Sequence, residues 1–332
     1  MQTRIKSSFI YLANGINDLR SNWQTLALVL APTAFLAALC LLPDALNLQH
    51  DLAQHLTPGG VHNVAMHLAG WKRAQESYPP AADPEPPLFS NTQIMLASGS
   101  AVLLTLIANL LVLCTMKQAQ ETGGVRPGVT DAAAIFRNAI WLAPAYAWVA
   151  LLQYALPMVG FFVTQIHVTV SSAALVIILN FIEVLLITLG ALIYLWVFFA
   201  RYALVFDDKH SFHALLFSRD LIRKRFFRVA TRIVVFLAVW WGYHSSAALV
   251  FTLIGLVVGP VAVLTGSVWL MIFPVDLVAV IVSFATTAFF ITAGLRLYRD
   301  LRSDLATSQR IQATPGLAPT VPLEPMSNPA AG

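Results

Sequence analysis

Two adjacent stretches decide the fold of this chain, because the first is almost wholly apolar and the second is densely charged. Residues 173–200 read AALVIILNFIEVLLITLGALIYLWVFFA, and residues 201–228 read RYALVFDDKHSFHALLFSRDLIRKRFFR. A helix needs about 20 apolar residues to cross the hydrocarbon core of a bilayer. The first stretch is therefore long enough for a membrane span, and the second predicts a segment outside the hydrocarbon core.

The whole chain has the composition of a multi-pass membrane protein. It is 58% hydrophobic and 11% charged, with a mean hydropathy of +0.72, whereas soluble domains carry about 25% charged residues. Its apolar runs predict an all-α polytopic bundle of six transmembrane helices with interfacial amphipathic helices. The predicted spans lie at residues 25–43, 94–115, 140–165, 173–200, 229–258 and 268–296.

The chain divides into three predicted parts. Residues 1–24 form a cytoplasmic N-terminal interfacial helix, residues 25–302 form the six-helix transmembrane domain, and residues 303–332 form a disordered cytoplasmic tail that contains five prolines. The transmembrane domain includes one outer loop and two amphipathic cytoplasmic loops, at residues 44–93, 116–139 and 201–228.

The orientation of the predicted spans follows from their flanking charges. Of the 20 lysines and arginines, 18 fall on one side of the predicted topology, and only Lys72 and Arg73 fall in the outer loop. Positively charged loops remain in the cytoplasm, so both termini are predicted to be cytoplasmic. Aromatic residues typical of the membrane interface lie near the cytoplasmic ends of the spans. They are Trp23, Trp141, Trp196 and Tyr298.

Short amphipathic runs with a polar helix-start residue precede spans 1, 3 and 5, beginning near Ser7, Val129 and Ser211. The chain would then be three copies of an interfacial helix followed by a helical hairpin. The alternative is that juxtamembrane helices of this kind all look alike. In the third run one apolar stripe predicts a helix that lies on the membrane with this stripe toward the acyl chains. The stripe consists of Phe212, Leu215, Leu216, Ile222 and Phe226.

Ordered motifs in the second half of the chain carry a family resemblance. Val205-Phe206-Asp207-Asp208 is followed by Ser211-Phe212-His213-Ala214-Leu215, by Ser218-Arg219 and by a basic run at residues 223–228, and Leu297-Tyr298-Arg299-Asp300-Leu301-Arg302 closes the last span. This order resembles bacterial membrane domains found beside glycerophosphodiester phosphodiesterases, and related stand-alone membrane proteins whose task is mostly unassigned.

The resemblance covers roughly residues 5–302. It implies an α-helical membrane domain in the inner (cytoplasmic) membrane of a bacterium. The phosphodiesterase barrel would be a separate soluble domain with a metal-binding acidic constellation. Because no segment of this chain has the composition of such a domain, the resemblance implies no phosphodiesterase activity.

Polar residues inside the predicted spans are candidates for a functional site, because a charged side chain at the centre of a bilayer costs roughly 2.5–3.5 kcal/mol on insertion scales. Glu183 and Asp276 fall in the outer halves of spans 4 and 6, Asn180 lies one turn from Glu183, His244 lies near the middle of span 5, and Gln153 lies in span 3. One interpretation is an outward-facing cavity that binds a proton or a cationic group. The other is that these groups hydrogen-bond between helices, with both acids protonated.

A basic run enters span 5 and is a candidate surface for anionic lipid head groups, at about 1 kcal/mol per near-surface charge. Its members are Arg219, Arg223, Lys224, Arg225, Arg228 and Arg232. The alternative is that these charges serve only as a topology signal. Nucleic acid is not expected as a partner, since the surrounding aromatic residues fit a membrane interface better than a base-stacking groove.

No metal or cofactor is predicted. Four histidines in the outer loop, at positions 50, 55, 62 and 67, are paired at a spacing of five. On a helix this spacing turns the two rings away from each other, whereas a spacing of four would align them for one metal ion. Ordinary surface histidines are therefore expected.

The sequence as a whole favours a non-enzymatic, integral inner-membrane protein. We expect it to be an interaction or lipid-organising module, with anionic lipids and a further membrane protein as partners. One alternative is a small transporter or permease component that uses Glu183 and Asp276. Another is an enzyme that acts on lipid head groups, for which the sequence shows no cluster of ionisable residues at head-group level.

Overall fold

The chain is described by a computed structural model over residues 6–55, 88–122, 129–169, 173–223, 225–265 and 268–313, and helices dominate all of these ranges. In chain order the helices are α1 (Ser8–His55), α2 (Asn91–Glu121), α3 (Val129–Thr169), α4 (Ala173–Val197), α5 (Ala200–Phe206), α6 (Ser211–Arg223), α7 (Phe226–Thr265) and α8 (Val268–Ala313).

The prediction of six membrane spans in an all-α bundle is confirmed over the described ranges. Helices α1, α2, α3, α7 and α8 each contain an apolar stretch long enough to cross a bilayer, and α4 and α5 together supply another. The chain is therefore an integral, multi-pass membrane protein. The helix starts predicted near Ser7, Val129 and Ser211 are confirmed as well, since α1, α3 and α6 begin at Ser8, Val129 and Ser211.

Several predicted boundaries are wrong because the helices are longer than the bilayer requires. Helix α1 has 48 residues and would extend for about 70 Å at ~1.5 Å per residue. It joins the predicted interfacial helix of residues 1–24 to span 1 and continues into the predicted outer loop. The run before span 3 likewise belongs to α3, and α8 continues to Ala313, inside the predicted disordered tail. The proposed repeat unit begins with a separate short helix. Within the described ranges such a helix, α6, is found only before α7.

Helices α1 and α8 form the centre of the bundle. Inside the protein, 44% of the apolar window of each is buried, against 17% for the α4–α5 span and 11% for α7. Helix α8 packs against α1, α7 and α2, while α3 packs chiefly against α4. The α1–α8 contact is close because Gly15 lacks a side chain: a Cβ there would lie 3.0 Å from the backbone nitrogen of Ala293. The Thr292 hydroxyl also donates a hydrogen bond to the Gly15 carbonyl at 3.2 Å.

At the break between α4 and α5, a side chain from α6 forms hydrogen bonds with the free backbone groups. The buried Ser218 hydroxyl donates to the Trp196 carbonyl at 2.5 Å and accepts a hydrogen bond from the Phe199 amide at 3.2 Å. Backbone groups freed by a helix break inside a membrane protein must find partners within the protein, because lipid supplies none. Ser218 therefore allows α4 to end at Val197 and the almost fully buried helix α5 to begin at Ala200.

The stripe predicted on α6 does not face one environment. Ile222 is only 1% exposed and packs inside the protein, together with Ala214, Ser218 and Leu221. Phe212, by contrast, is 66% exposed. The expectation that the whole stripe faces the acyl chains is wrong for Ile222, because α6 packs against α5 and α4 as well as lying at the surface of the bundle.

Replacing Ser218 by alanine is expected to destabilise the bundle, because the Trp196 carbonyl and the Phe199 amide would both lose a partner. A buried polar group left unsatisfied costs about 1–3 kcal/mol, and 1 kcal/mol lowers the Tm of a large domain by roughly 2–4 °C. Thermal unfolding in detergent measures the change. Ser303→Ala is the matched control, because the Ser303 hydroxyl bonds the Asp300 carbonyl on an exposed surface. Equal Tm values for Ser218→Ala and Ser303→Ala would contradict the assignment.

Candidate functional site

Charged side chains gather at one end of the bundle, where α1 begins, α2 ends, the α5–α6 turn lies and the last third of α8 passes. We call this region the basic end. Five ion pairs in the described ranges connect elements there that are distant in sequence. They are Lys6–Asp300 at 3.9 Å, Lys117–Asp208 at 2.6 Å, Arg302–Asp207 at 2.9 Å, Arg225–Asp304 and Arg296–Asp18.

The structure brings together the two motifs on which the family resemblance depends. Asp207, from the motif before α6, accepts a hydrogen bond from the Tyr298 hydroxyl and forms the ion pair with Arg302. Its side chain is only 5% exposed. Tyr298 is fully buried and stacks on Tyr202, with the ring centroids 5.7 Å apart. The expectation that Tyr298 is an interfacial aromatic residue is therefore wrong: it holds the α5–α6 turn against α8.

Successive polar residues of the last motif reach different parts of the bundle. The Arg299 guanidinium donates to the Gln120 side chain at 2.7 Å, and Asp300 accepts a hydrogen bond from the Tyr11 hydroxyl at 2.9 Å. Asp208 adopts a left-handed backbone conformation with φ of 49°, which aspartate tolerates better than most residues, and its carboxylate pairs with Lys117. Asp207 and Asp208 thus cross-link helices.

The six predicted lipid-binding residues separate into two groups. Arg225 pairs with Asp304, which is only 6% exposed, and the Arg232 Nε–H donates to the Lys6 carbonyl at 2.9 Å. These two arginines therefore serve contacts within the protein. Exposed side chains are those of Arg219, Arg223 and Arg228. Lys224 lies outside the described residues.

A cleft of about 230 Å³ opens at the basic end between α2, α3 and the α5–α6 turn. Its charged lining residues are Lys117, Glu121 and Asp208. Two carboxylates against one ammonium group give this cleft a net negative charge. It is therefore unsuited to an anionic head group, and the exposed arginines are the better candidates for lipid contact.

The intramembrane candidates lie on separate helices. Asn180 is exposed and Glu183 half-buried on α4, while Asp276 is half-buried on α8. Half-buried His244 on α7 contacts the Trp240 ring edge-to-face, with a centroid distance of 4.2 Å. Helix α4 packs chiefly against α3, with a smaller contact on α6, whereas α8 packs against α1, α7 and α2. The site shared by Glu183 and Asp276 stays a prediction, and their helices have different principal neighbours.

We expect Glu183→Gln and Asp276→Asn to have additive effects on stability, because their helices have different principal neighbours and the effects of distant substitutions add to within about 0.5 kcal/mol. The measurement is a double-mutant cycle of unfolding free energies in mixed micelles. A coupling energy well above 1 kcal/mol, on the order expected for side chains in contact, would instead support one common cavity.

A cluster of aromatic and polar residues inside the bundle was missed by the sequence analysis. It contains Arg201 and four tyrosines: Tyr146 and Tyr154 line one pocket with Arg201, the Tyr202 ring contacts its guanidinium group, and the Tyr194 ring packs on Tyr154. The sequence predicts only a role in topology for Arg201. The detectable signal was the recurrence of tyrosine in two neighbouring spans, the third and the fourth, beside a glutamine, Gln153, which the structure confirms as buried at 2% exposure.

No group of three or more His, Cys, Asp or Glu side chains that could hold a metal ion occurs in the part of the chain that the structure describes. His50 and His55 belong to the last turns of α1. His62 and His67 lie outside the described residues.

Comparison of the chain with models of known protein families, with curated proteins and with solved structures finds no match. The resemblance to phosphodiesterase-associated membrane domains therefore stays a prediction, and the function is argued from the residues themselves.

Proposed function

We propose that this chain is a non-enzymatic membrane module that binds anionic lipids at its basic end. The observation that supports the proposal is the exposed surface at the junction of α6 and α7. Arg223 and Arg228 are both exposed there, and Phe227 between them is 83% exposed. An exposed aromatic ring flanked by arginines fits a membrane interface, where the ring enters the acyl boundary and the guanidinium groups remain at head-group level.

The neighbouring charges strengthen the case. Arg225 and Arg232 are held by Asp304 and by the Lys6 carbonyl, so the segment that carries Arg223 and Arg228 is anchored to α8 and to the start of α1. A rigid support lowers the entropic cost of binding a head group. Each arginine at the surface of an anionic membrane contributes about 1 kcal/mol, so Arg223 and Arg228 together would give a useful preference for anionic lipid.

The proposal includes location and orientation. The distribution of lysines and arginines supports cytoplasmic termini. The resemblance to phosphodiesterase-associated membrane domains supports the inner membrane of a bacterium. We also propose that the chain contacts another membrane protein. A fluorescent protein that folds only in the cytoplasm, fused after the last residue, is expected to fluoresce. A C-terminal fusion of alkaline phosphatase that is active instead would contradict this orientation.

The Arg223→Gln/Arg228→Gln variant is expected to lose anionic-lipid selectivity, because it removes two exposed charges that form no ion pair among the described residues, while the ion pair of Arg225 remains. At about 1 kcal/mol per arginine, the relative affinity for phosphatidylglycerol over phosphatidylcholine falls roughly tenfold or more. Native mass spectrometry of the protein in mixed-lipid nanodiscs measures the ratio of retained lipids, and raised salt should reduce it in the wild type.

Two control variants separate lipid contact from other effects. Arg20→Gln/Arg137→Gln removes the same charge from exposed positions on α1 and α3 and is expected to retain most of the selectivity. Arg225→Gln breaks a contact within the protein, so it should lower Tm more than it changes the lipid ratio. The lipid-binding proposal fails if the Arg223→Gln/Arg228→Gln variant retains phosphatidylglycerol as the wild type does.

A further inference from the structure

Arg201 is placed inside the bundle by the helix break that Ser218 closes. It lies in the first turn of α5, two residues after the break. Its guanidinium carbon is 4.8 Å from the ring centroid of Phe198 and 5.1 Å from that of Tyr202. Arg201 is half-buried and lines a small pocket together with Tyr146 and Tyr154.

The charge of Arg201 is not matched by a carboxylate among the described residues. Several other arginines have acidic partners, including Arg225, Arg296 and Arg302, whereas the Arg201 guanidinium lies against the neutral rings of Phe198 and Tyr202. An arginine keeps its proton in any protein environment, and an unpaired ion removed from water costs several kcal/mol. Contacts between the guanidinium group and aromatic faces offset about 2 kcal/mol of this cost when the cation is desolvated.

Two hydrogen-bond donors in this pocket lack an acceptor. The pocket lies between α2, α3 and α5 and is lined by Asn109, Tyr146, Gln153, Tyr154 and Arg201, among others. Within the described structure, the Nε of Arg201 and the Nε2 of Gln153 are buried without a hydrogen-bond partner. Because both atoms donate, an acceptor bound in the pocket would satisfy them.

The size and charge of the pocket define the acceptor. Its volume of about 10 Å³ is close to the smallest that holds one water molecule, so a monatomic anion of the size of chloride enters only when the lining side chains move slightly apart. A water molecule could accept both hydrogen bonds, but it would leave the positive charge of Arg201 uncompensated. A monatomic anion satisfies both donors and neutralises the guanidinium group. A phosphate group is much larger than the pocket.

We propose that this pocket binds one small monovalent anion of the size of chloride, held between Arg201 and Gln153. The anion would link α3 to α5 across the pocket and compensate the positive charge of the Arg201 guanidinium group. The site goes beyond the lipid contacts proposed above, since it shares no residue with them and lies in the interior.

Purified protein in nanodiscs is expected to be stabilised by halide. Its Tm should rise saturably in sodium chloride or bromide relative to sodium gluconate at equal ionic strength, because an anion that binds only the folded state stabilises it. Gln153→Met removes one donor to the anion and should raise the half-saturating halide concentration by roughly tenfold. Gln153→Glu places a carboxylate in the pocket, so Tm in gluconate should rise to the chloride value and the halide response should disappear.

Ser303→Glu adds the same charge on the exposed surface of α8 and should keep the full halide response. If Gln153→Glu does not fold, the Gln153→Met titration and a bromide-specific anomalous peak beside Arg201 in crystals of the wild type test the site independently. A wild-type Tm that is equal in chloride and gluconate would overturn the proposal. So would density in the pocket that does not change when bromide replaces chloride, since that result indicates water.

Discussion

The hydrogen bonds of Ser218 are the interaction on which the rest of the structure depends. An apolar run of the length of residues 173–206 could continue as one straight helix, yet the chain breaks after Val197. The freed Trp196 carbonyl and Phe199 amide would be costly in a membrane interior, and one buried hydroxyl satisfies both of them. Once the break is stable, α5 can enter the bundle with Arg201 at its start and Asp207 just beyond its end.

Asp207 then determines how the two halves of the chain meet. It lies between the Tyr298 hydroxyl and the Arg302 guanidinium, so the α5–α6 turn is fastened to α8. Helix α8 is also fastened to α1 by Arg296–Asp18 and to the segment before α7 by Arg225–Asp304. Exposed ion pairs contribute little to stability, but Asp207 and Asp304 are buried, and loss of either partner would leave an uncompensated charge. The basic end is thus a set of specific contacts as well as a concentration of charge.

Sequence reasoning succeeded where the signal is local and failed where it depends on a distant partner. The spans and the helix starts follow from runs of apolar residues and from local start signals, and both are confirmed. Whether Arg225 contacts lipid or Asp304 depends on a residue about 80 positions away, so the run of arginines alone could not separate these roles. The same holds for Tyr298. Its position near the end of the span suggested the membrane interface, but its hydroxyl donates a hydrogen bond to Asp207. The predicted element boundaries failed for a related reason. An amphipathic segment and the apolar segment after it look like two elements in the sequence, although they form one continuous helix in α1 and in α3.

Amino-acid composition and the order of apolar runs were sufficient to establish an all-helical, multi-pass membrane protein with six spans, because the cost of exposing backbone and charge to lipid leaves few alternatives. The sequence shows the motif before α6 and the motif at residues 297–302 of α8. It does not show that the two motifs contact each other. Only the tertiary structure showed which charges pair, which face the surface and that Arg201 lies against the rings of Phe198 and Tyr202. The physical reason is that these outcomes depend on distances between helices, which hydropathy does not encode. The free-energy cost of placing a segment in the bilayer, by contrast, is a sum over its own residues.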